Sequence, residues 1–198
     1  MSSRDEVLAR IRSALGTDPD VPQIPREYRR AGDLAQEALL DLFIQRLVDY
    51  KATVHRINAS ELPILLWSLV DGPFVVPPGI PAQWGLTEAT VDKGFAPSEL
   101  DSYNSVVTAC AAACAETGTI VLDGSPDQGR RAISLVPDRH VCVVRADQVV
   151  ETVPELLSRL DPVRPLTFIS GPSATSDIEL QRVEGVHGPR TLVVVLVA

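Results

Sequence analysis

The stretch that decides the fold is Pro165–Val197, PLTFISGPSATSDIELQRVEGVHGPRTLVVVLV. Leu166–Ile169 reads as a short buried strand and Ser170–Thr175 as a polar turn. Ser176 then has the position of a helix N-cap, with Glu179 three residues on to complete a capping box. Asp177 and Glu179 put negative charge into that first turn, where the helix dipole favours it. Gly185 suits a C-cap, because a residue without Cβ takes up a left-handed backbone at little cost. His187–Arg190 is a tight turn, and Thr191–Val197 is rich enough in β-branched residues to be a central strand. Together these make a βαβ unit. Its first loop opens at the carboxyl end of a parallel strand, where open α/β sheets place their sites.

The rest of the chain alternates in the same manner. At the N-terminus Ser3-Arg-Asp-Glu6 reads as a capping box, and Val7, Leu8, Ile11 and Leu15 form one apolar stripe that stops at Gly16. Pro19, Pro22 and Pro25 mark an extended linker. A short helix on such a tether is not stable by itself, so it packs on its own domain, a second copy or a partner. The division is therefore helix 1–16, linker 17–32 and an α/β domain 33–198. Within that domain Asp33 starts a helix with Leu34, Ala38, Leu42, Phe43 and Leu47 on one face. Ala52–Ile57 alternates as a strand, with His55 expected exposed, Ser60–Val70 is helical, and Phe74–Val76 is a buried strand before Pro77-Pro78. Residues 79–104 are irregular, with Trp84, Phe95 and Tyr103 covering an edge. Val106–Val107, Ile120–Leu122 and Val141–Arg145 read as strands; Ala109–Ala115, Gly129–Val136 and Val149–Leu160 read as helices. Strands alternating with helices imply a three-layer α/β/α, Rossmann-like domain with a mostly parallel sheet.

Composition narrows the function classes. The chain has 198 residues and is 45% hydrophobic, enough for a sizeable core in one domain. A formal charge of −8 argues against nucleic acid, because no surface is available to neutralise phosphates. The charged, amphipathic N-terminus is unlike a secretory signal, and the apolar run near the C-terminus is too short to span a bilayer, which leads to the expectation of a cytoplasmic protein. Cys110, Cys114 and Cys142 are too few for a cubane iron–sulfur cluster, which takes four thiolates. They read as buried small hydrophobes, with Cys110 and Cys114 sharing a helix face. No metal-ligand spacing, dinucleotide fingerprint or P-loop is present.

Two motifs, ATSDIELQRVEGVHGPRTLVVVLV (Ala174–Val197) and AETGTIVLD (Ala115–Asp123), resemble the lactate-utilisation LUD-domain family, and within it the protein C group that lacks iron–sulfur motifs. The similarity is strongest over about residues 105–145 and 165–197 and reaches back weakly to about residue 33. Relatives carry an acidic residue five positions before the Glu of AETGT, where this chain has Ala111. The resemblance implies a fold related to phosphosugar isomerases and CoA-transferases. It also implies a role in oxidising lactate to pyruvate, as an accessory or regulatory subunit beside iron–sulfur partner proteins. This chain would bind no cofactor alone, and the clusters would sit on those partners.

Candidate site residues fall in three places. Glu116-Thr117-Gly118 forms a turn into a strand, and its carboxylate can serve as general base or nucleophile. CoA-transferases of the same broad fold use a Glu, a small polar residue and Gly in that way; the plainer alternative is a Glu that satisfies turn amides. Gly171, Ser173 and Thr175 can cradle an anion on turn amides, although Asp177 and Glu179 oppose it unless a cation helps. That cation is Arg190, or Arg130 with its neighbour Arg131. His187, Gly188 and Arg190 share a turn: Arg matches a carboxylate and His exchanges a proton near a hydroxyl. His140 reads as structural. The alternatives to the subunit reading are a free-standing enzyme of the CoA-transferase or formyltetrahydrofolate cyclo-ligase type using Glu116, and a small-anion sensor without chemistry. Homo-oligomerisation is open in each case.

Overall fold

A computed structural model describes residues 2–16, 22–175, 183–184 and 187–198. Helix α1 (Ser3–Leu15) begins at a capping box, with Ser2 as N-cap and Asp5 as its reciprocal partner, one residue earlier than the sequence suggests. It ends at Gly16, whose φ is +75°. It buries none of its side chains, and Val7, Ile11 and Leu15 are exposed. Residues 22–35 are non-helical, yet their far end is fixed: Arg29 pairs with Glu116 and Glu151, and the Leu34 amide donates to Glu151 Oε2 at 2.8 Å.

Helix α2 (Gln36–Asp49) turns Leu39, Leu40, Phe43 and Leu47 inward. Leu34 lies outside it and is exposed, so the buried stripe is rotated from the one expected. Strand β1 (Thr53–Ile57) carries a half-buried rather than exposed His55. Helix α3 (Leu62–Leu69) tolerates Pro63 in its first turn, where no intrahelical bond is lost. It is followed by β2 (Phe74–Val76), β3 (Thr90–Val91), α4 (Pro97–Leu100) and β4 (Ser105–Thr108). Then come β5 (Ala112–Cys114), β6 (Thr119–Leu122), β7 (Arg139–Arg145), β8 (Val149–Val150), α5 (Val153–Ser158) and β9 (Thr167–Ile169). The short strands β10 (Ala174–Thr175) and β11 (Val183–Glu184) and the long β12 (Thr191–Val197) complete the described chain.

Six strands in the order β1-β12-β7-β4-β2-β3 form an entirely parallel sheet. Its two faces are both apolar, as parallel sheets require. Val141, Val143, Val193 and Val195 face α3 and Trp84; Cys142, Val144, Leu192, Val194 and Leu196 face α2. Phe95 stacks on Tyr103 with ring centroids 5.9 Å apart, over Val75, Leu100, Val106 and Ile133. The fold is thus the Rossmann-like α/β arrangement expected, with two local revisions.

The first revision is a second sheet, β8-β5-β6-β9. Ala109–Ala115, expected as a helix of small residues, contains β5, one of its two inner strands, so Cys110 and Cys114 share no helix face. Ala113, Ile120 and Leu122 pack toward α2 and the large sheet, while Ala112, Cys114 and Val121 pack toward Leu156 of α5. Residues without bulk let the layers close on both sides, and tertiary packing overrides helix propensity. Val149–Leu160 likewise begins as strand β8 before α5, and 129–136 is reduced to a 3-10 turn at Arg131–Ser134. The second revision concerns the C-terminal unit. Strand β9 pairs antiparallel with β6 in the small sheet, not parallel to β12 in the large one, so the segment is not a βαβ unit. Val183–Glu184 is extended and pairs antiparallel with Ala174–Thr175. Most of the expected helix, from its Ser176 cap to Gln181 and Arg182, and the Gly185 stop lie outside the described residues.

Candidate functional site

A cleft of about 290 Å³ lies where the amino ends of β7 and β12 meet β9 and its following loop. Ser170, Gly171 and Ser173 line it from that loop, and His187 lines it from the turn before β12. The loop is held by its own bonds. The Ser173 amide donates to Pro189 O at 2.9 Å, and Ser173 Oγ accepts from the His187 amide at 3.0 Å. Ser170 Oγ shares a 2.8 Å bond with Thr119 Oγ1, which bonds Thr117 Oγ1 at 2.7 Å, so a chain of hydroxyls runs from the β5–β6 hairpin to the cleft. Gly171 has φ +96°, a conformation that glycine adopts without a Cβ penalty. Gly188 packs against Ser173: a Cβ there would lie 3.5 Å from Ser173 Cβ. Thr175 belongs to β10, two residues beyond Ser173.

Arg131 opens the 3-10 turn that forms another wall of the cleft, with Ser134 donating to its carbonyl at 3.0 Å. Among the described residues no carboxylate pairs with the Arg131 guanidinium. Its neighbour Arg130 is committed elsewhere. It holds Asp92 in a two-point pair at 2.6 and 2.9 Å, and this pairing keeps the Asp92 carboxyl below its ordinary pKa. Arg190 also stands apart, pairing with Asp138 at 2.6 Å beside a separate, largely polar cavity lined by Asp71 and Asp101.

His140 is at the back of the cleft, a residue that sequence reading set aside as structural. It is 1% exposed, and its Nε2 is 2.8 Å from Thr108 Oγ1. Burial lowers its pKa to about 4, so the ring is neutral at physiological pH and offers a hydrogen-bonding nitrogen rather than a charge. The available signal was its place at the start of an apolar strand next to a polar loop.

Glu116 and His187 are not brought together. Glu116 occupies the β5–β6 turn, accepts from Arg29 at 2.5 Å, and with Thr117 borders a cavity formed by Arg46, Asp49 and Tyr50. The glycine of that motif has a packing reason: with φ +59°, Gly118 would place any Cβ 2.8 Å from Arg46 Cβ of α2. The thiols are core pieces. Cys110 donates to Gln148 Oε1 at 3.4 Å, Cys114 to Glu151 O at 3.3 Å and Cys142 to Ala109 O at 3.8 Å. Neighbouring Cys142 and burial push the Cys110 thiol pKa well above its usual value. Among the described residues no group of three or more His, Cys, Asp or Glu stands together as a metal site, and no helix is long and apolar enough to cross a membrane.

Residues 82–197 match the family described as LUD domain. Over 185 residues the chain is 45% identical to "Lactate utilization protein C" of Deinococcus radiodurans, covering 89% of this chain and 87% of that one. It is 33% identical over 109 residues to the Bacillus subtilis protein of the same name, covering 50% and 44%. The fold is similar to the crystal structure of a DUF162 family protein from Deinococcus radiodurans, with a TM-score of 0.72, 40% identity, and coverage of 84% of this chain and 100% of that one.

Proposed function

Since this chain belongs to the LUD-domain family, we propose that it has a role in lactate utilisation, as the subunit of a lactate-oxidising system that carries no redox centre. The observation that supports a ligand role is the cleft with an uncommitted arginine: Arg131 beside Ser170, Ser173 and His187. A guanidinium with no carboxylate partner among the described residues is suited to a two-point bond with the carboxylate of a small hydroxy acid. The serine hydroxyls and the His187 imidazole are then available to the ligand's hydroxyl, and neutral His140 adds no competing charge. In this reading the electrons taken from lactate pass to iron–sulfur clusters on partner chains. The uncovered stripe of Val7, Ile11 and Leu15 on α1 is the segment assigned to the contact with those partners.

A tagged full-length chain, recovered from lactate-grown cells of the source organism, tests this directly. Stoichiometric recovery of iron-bearing partners is expected, and it should fall when residues 1–16 are deleted while the domain keeps its melting temperature. Recovery of the chain alone and free of iron would overturn the subunit reading. Calorimetry with L-lactate checks the site separately, and Arg131→Ala should weaken binding by about tenfold or more, the loss expected for a charge-assisted pair.

A further inference from the structure

The cleft does not stop at Arg131. A second cavity, about 550 Å³, adjoins it and shares the Arg131, Ser134 and Thr167 wall. Its own lining is chemically different: Pro78, Leu122, Pro126 and Pro165 give it apolar sides. The charged groups on its border are already neutralised, Asp92 by Arg130 and the nearby Asp123 by Arg164 at 3.0 Å. A cation with no carboxylate partner among the described residues therefore stands at the junction of a small polar compartment and a larger apolar one.

The apolar compartment is built rather than incidental. The loop 123–130 that walls it is pinned at both ends and to its neighbours. Gln128 Oε1 accepts the Asp123 amide at 2.6 Å, the Gly129 amide donates to Ser125 O at 2.8 Å, and Pro126 O accepts from Gly79 N at 2.8 Å. The Asp127 carbonyl accepts from Ala109 N at 3.0 Å, which ties the same loop to the end of β4. Gly129, at φ +71°, lies so close to Pro77 and Ile133 that a Cβ would fall 2.9 and 2.6 Å from their side chains. A fixed apolar cavity beside a charged group matches the general form of small-molecule sites, which surround a few polar anchors with apolar surface.

Resting on the carboxylate reading of the cleft given above, we infer that the site is bipartite: Arg131 takes the carboxylate of a 2-hydroxy acid, and the second cavity takes an extended apolar body carried by the same molecule. Lactate fills only the polar compartment. A long-chain or aryl 2-hydroxy acid fills both and gains the burial of its apolar surface.

Calorimetry on the full chain with L-lactate, 2-hydroxyoctanoate and 3-phenyllactate tests the inference. At least one of the longer acids should bind about tenfold or more tightly than lactate, given the transfer free energy of the added carbons. Ser125→Trp, which fills the apolar cavity from the pinned loop, should remove that gain and leave lactate binding unchanged. Pro165→Trp does the same from the segment that leads into β9, and melting temperatures verify that each variant is folded. If lactate binds and the longer acids bind no better, the bipartite site is overturned while the carboxylate reading stands. If none of the three binds, the carboxylate reading itself fails. Tight binding of the longer acids that persists in both filling variants, or survives Arg131→Ala undiminished, also overturns the inference, because the apolar body or the head would then lie elsewhere.

Discussion

In the large sheet, β7 and β12 carry Val to one face and Val, Leu and Cys to the other; in the small sheet, the inner strand β5 is Ala112-Ala113-Cys114. The large sheet fills space, and its core residues reach the helices on either side. The small sheet withholds bulk so that α5 packs on one face and α2 with the large sheet on the other. Polar chemistry follows the same division. From the interior of the large sheet the cleft receives His140, bonded to Thr108, whereas the small sheet delivers the Thr117–Thr119–Ser170 hydroxyl chain and the loop that follows β9. One sheet is the platform and the other brings the polar groups to its edge.

The sharpest way to break this contrast is a charge in the platform. Val194 is fully buried between α2 and the sheet, and Val194→Asp should cost more than about 4 kcal/mol and abolish the cooperative transition seen by circular dichroism. A folded, cooperatively melting variant would show the platform to be far looser than described.

The buried imidazole gives a smaller effect that depends on pH. In the unfolded chain His140 takes up a proton near its ordinary pKa of 6.5, but in the folded protein it does so only near 4. Unfolding therefore binds a proton across that window, and stability falls as the pH drops from about 6.5 to about 4, below which the loss is complete. At about 1.4 kcal/mol per pKa unit the loss is about 3 kcal/mol. Urea titrations of the wild type and His140→Gln at pH 7, 5 and 4 should show the wild type losing about that much more on acidification. Equal slopes for both proteins would mean that His140 is hydrated.

The small sheet should respond to volume rather than charge. Ala113→Leu adds methylenes where α2 and the large sheet already close on β5, and should cost about 1–3 kcal/mol by denaturant titration. A neutral result would place free space around β5 and remove the reason given for its composition.

The same contrast explains what the sequence made legible. Strands β2, β4, β7 and β12 were readable because a parallel strand buried on both faces needs a continuous β-branched run, and helices α1 to α3 because caps and apolar spacing are local signals. The β5 segment was not, since an alanine-cysteine run favours a helix until layers on both sides demand a flat, thin element. Nor was the partner of β9: a short apolar segment carries no mark of which sheet it will join. The site was half legible for a related reason. Gly171, Ser173 and His187 lie close along the chain and line one cleft, whereas the pairing of Arg130 with Asp92, thirty-eight residues away, is an ion pair that no local pattern announces.

Arg29 sets a length scale for the tail. Its clasp on Glu116 and Glu151 holds the chain at the edge of the small sheet, so the number of residues from Gly16 to Arg29 bounds how far α1 can lie from that edge. Fully drawn out, that stretch spans about 45 Å at about 3.5 Å per residue. A partner docked on α1, as proposed above, would be kept within a molecular diameter or so of the hairpin at Glu116, at an effective concentration near the millimolar range typical of short tethers. Releasing the clasp, as Arg29→Ala would, lengthens that reach and should dilute such a partner without touching the α1 surface proposed to bind it.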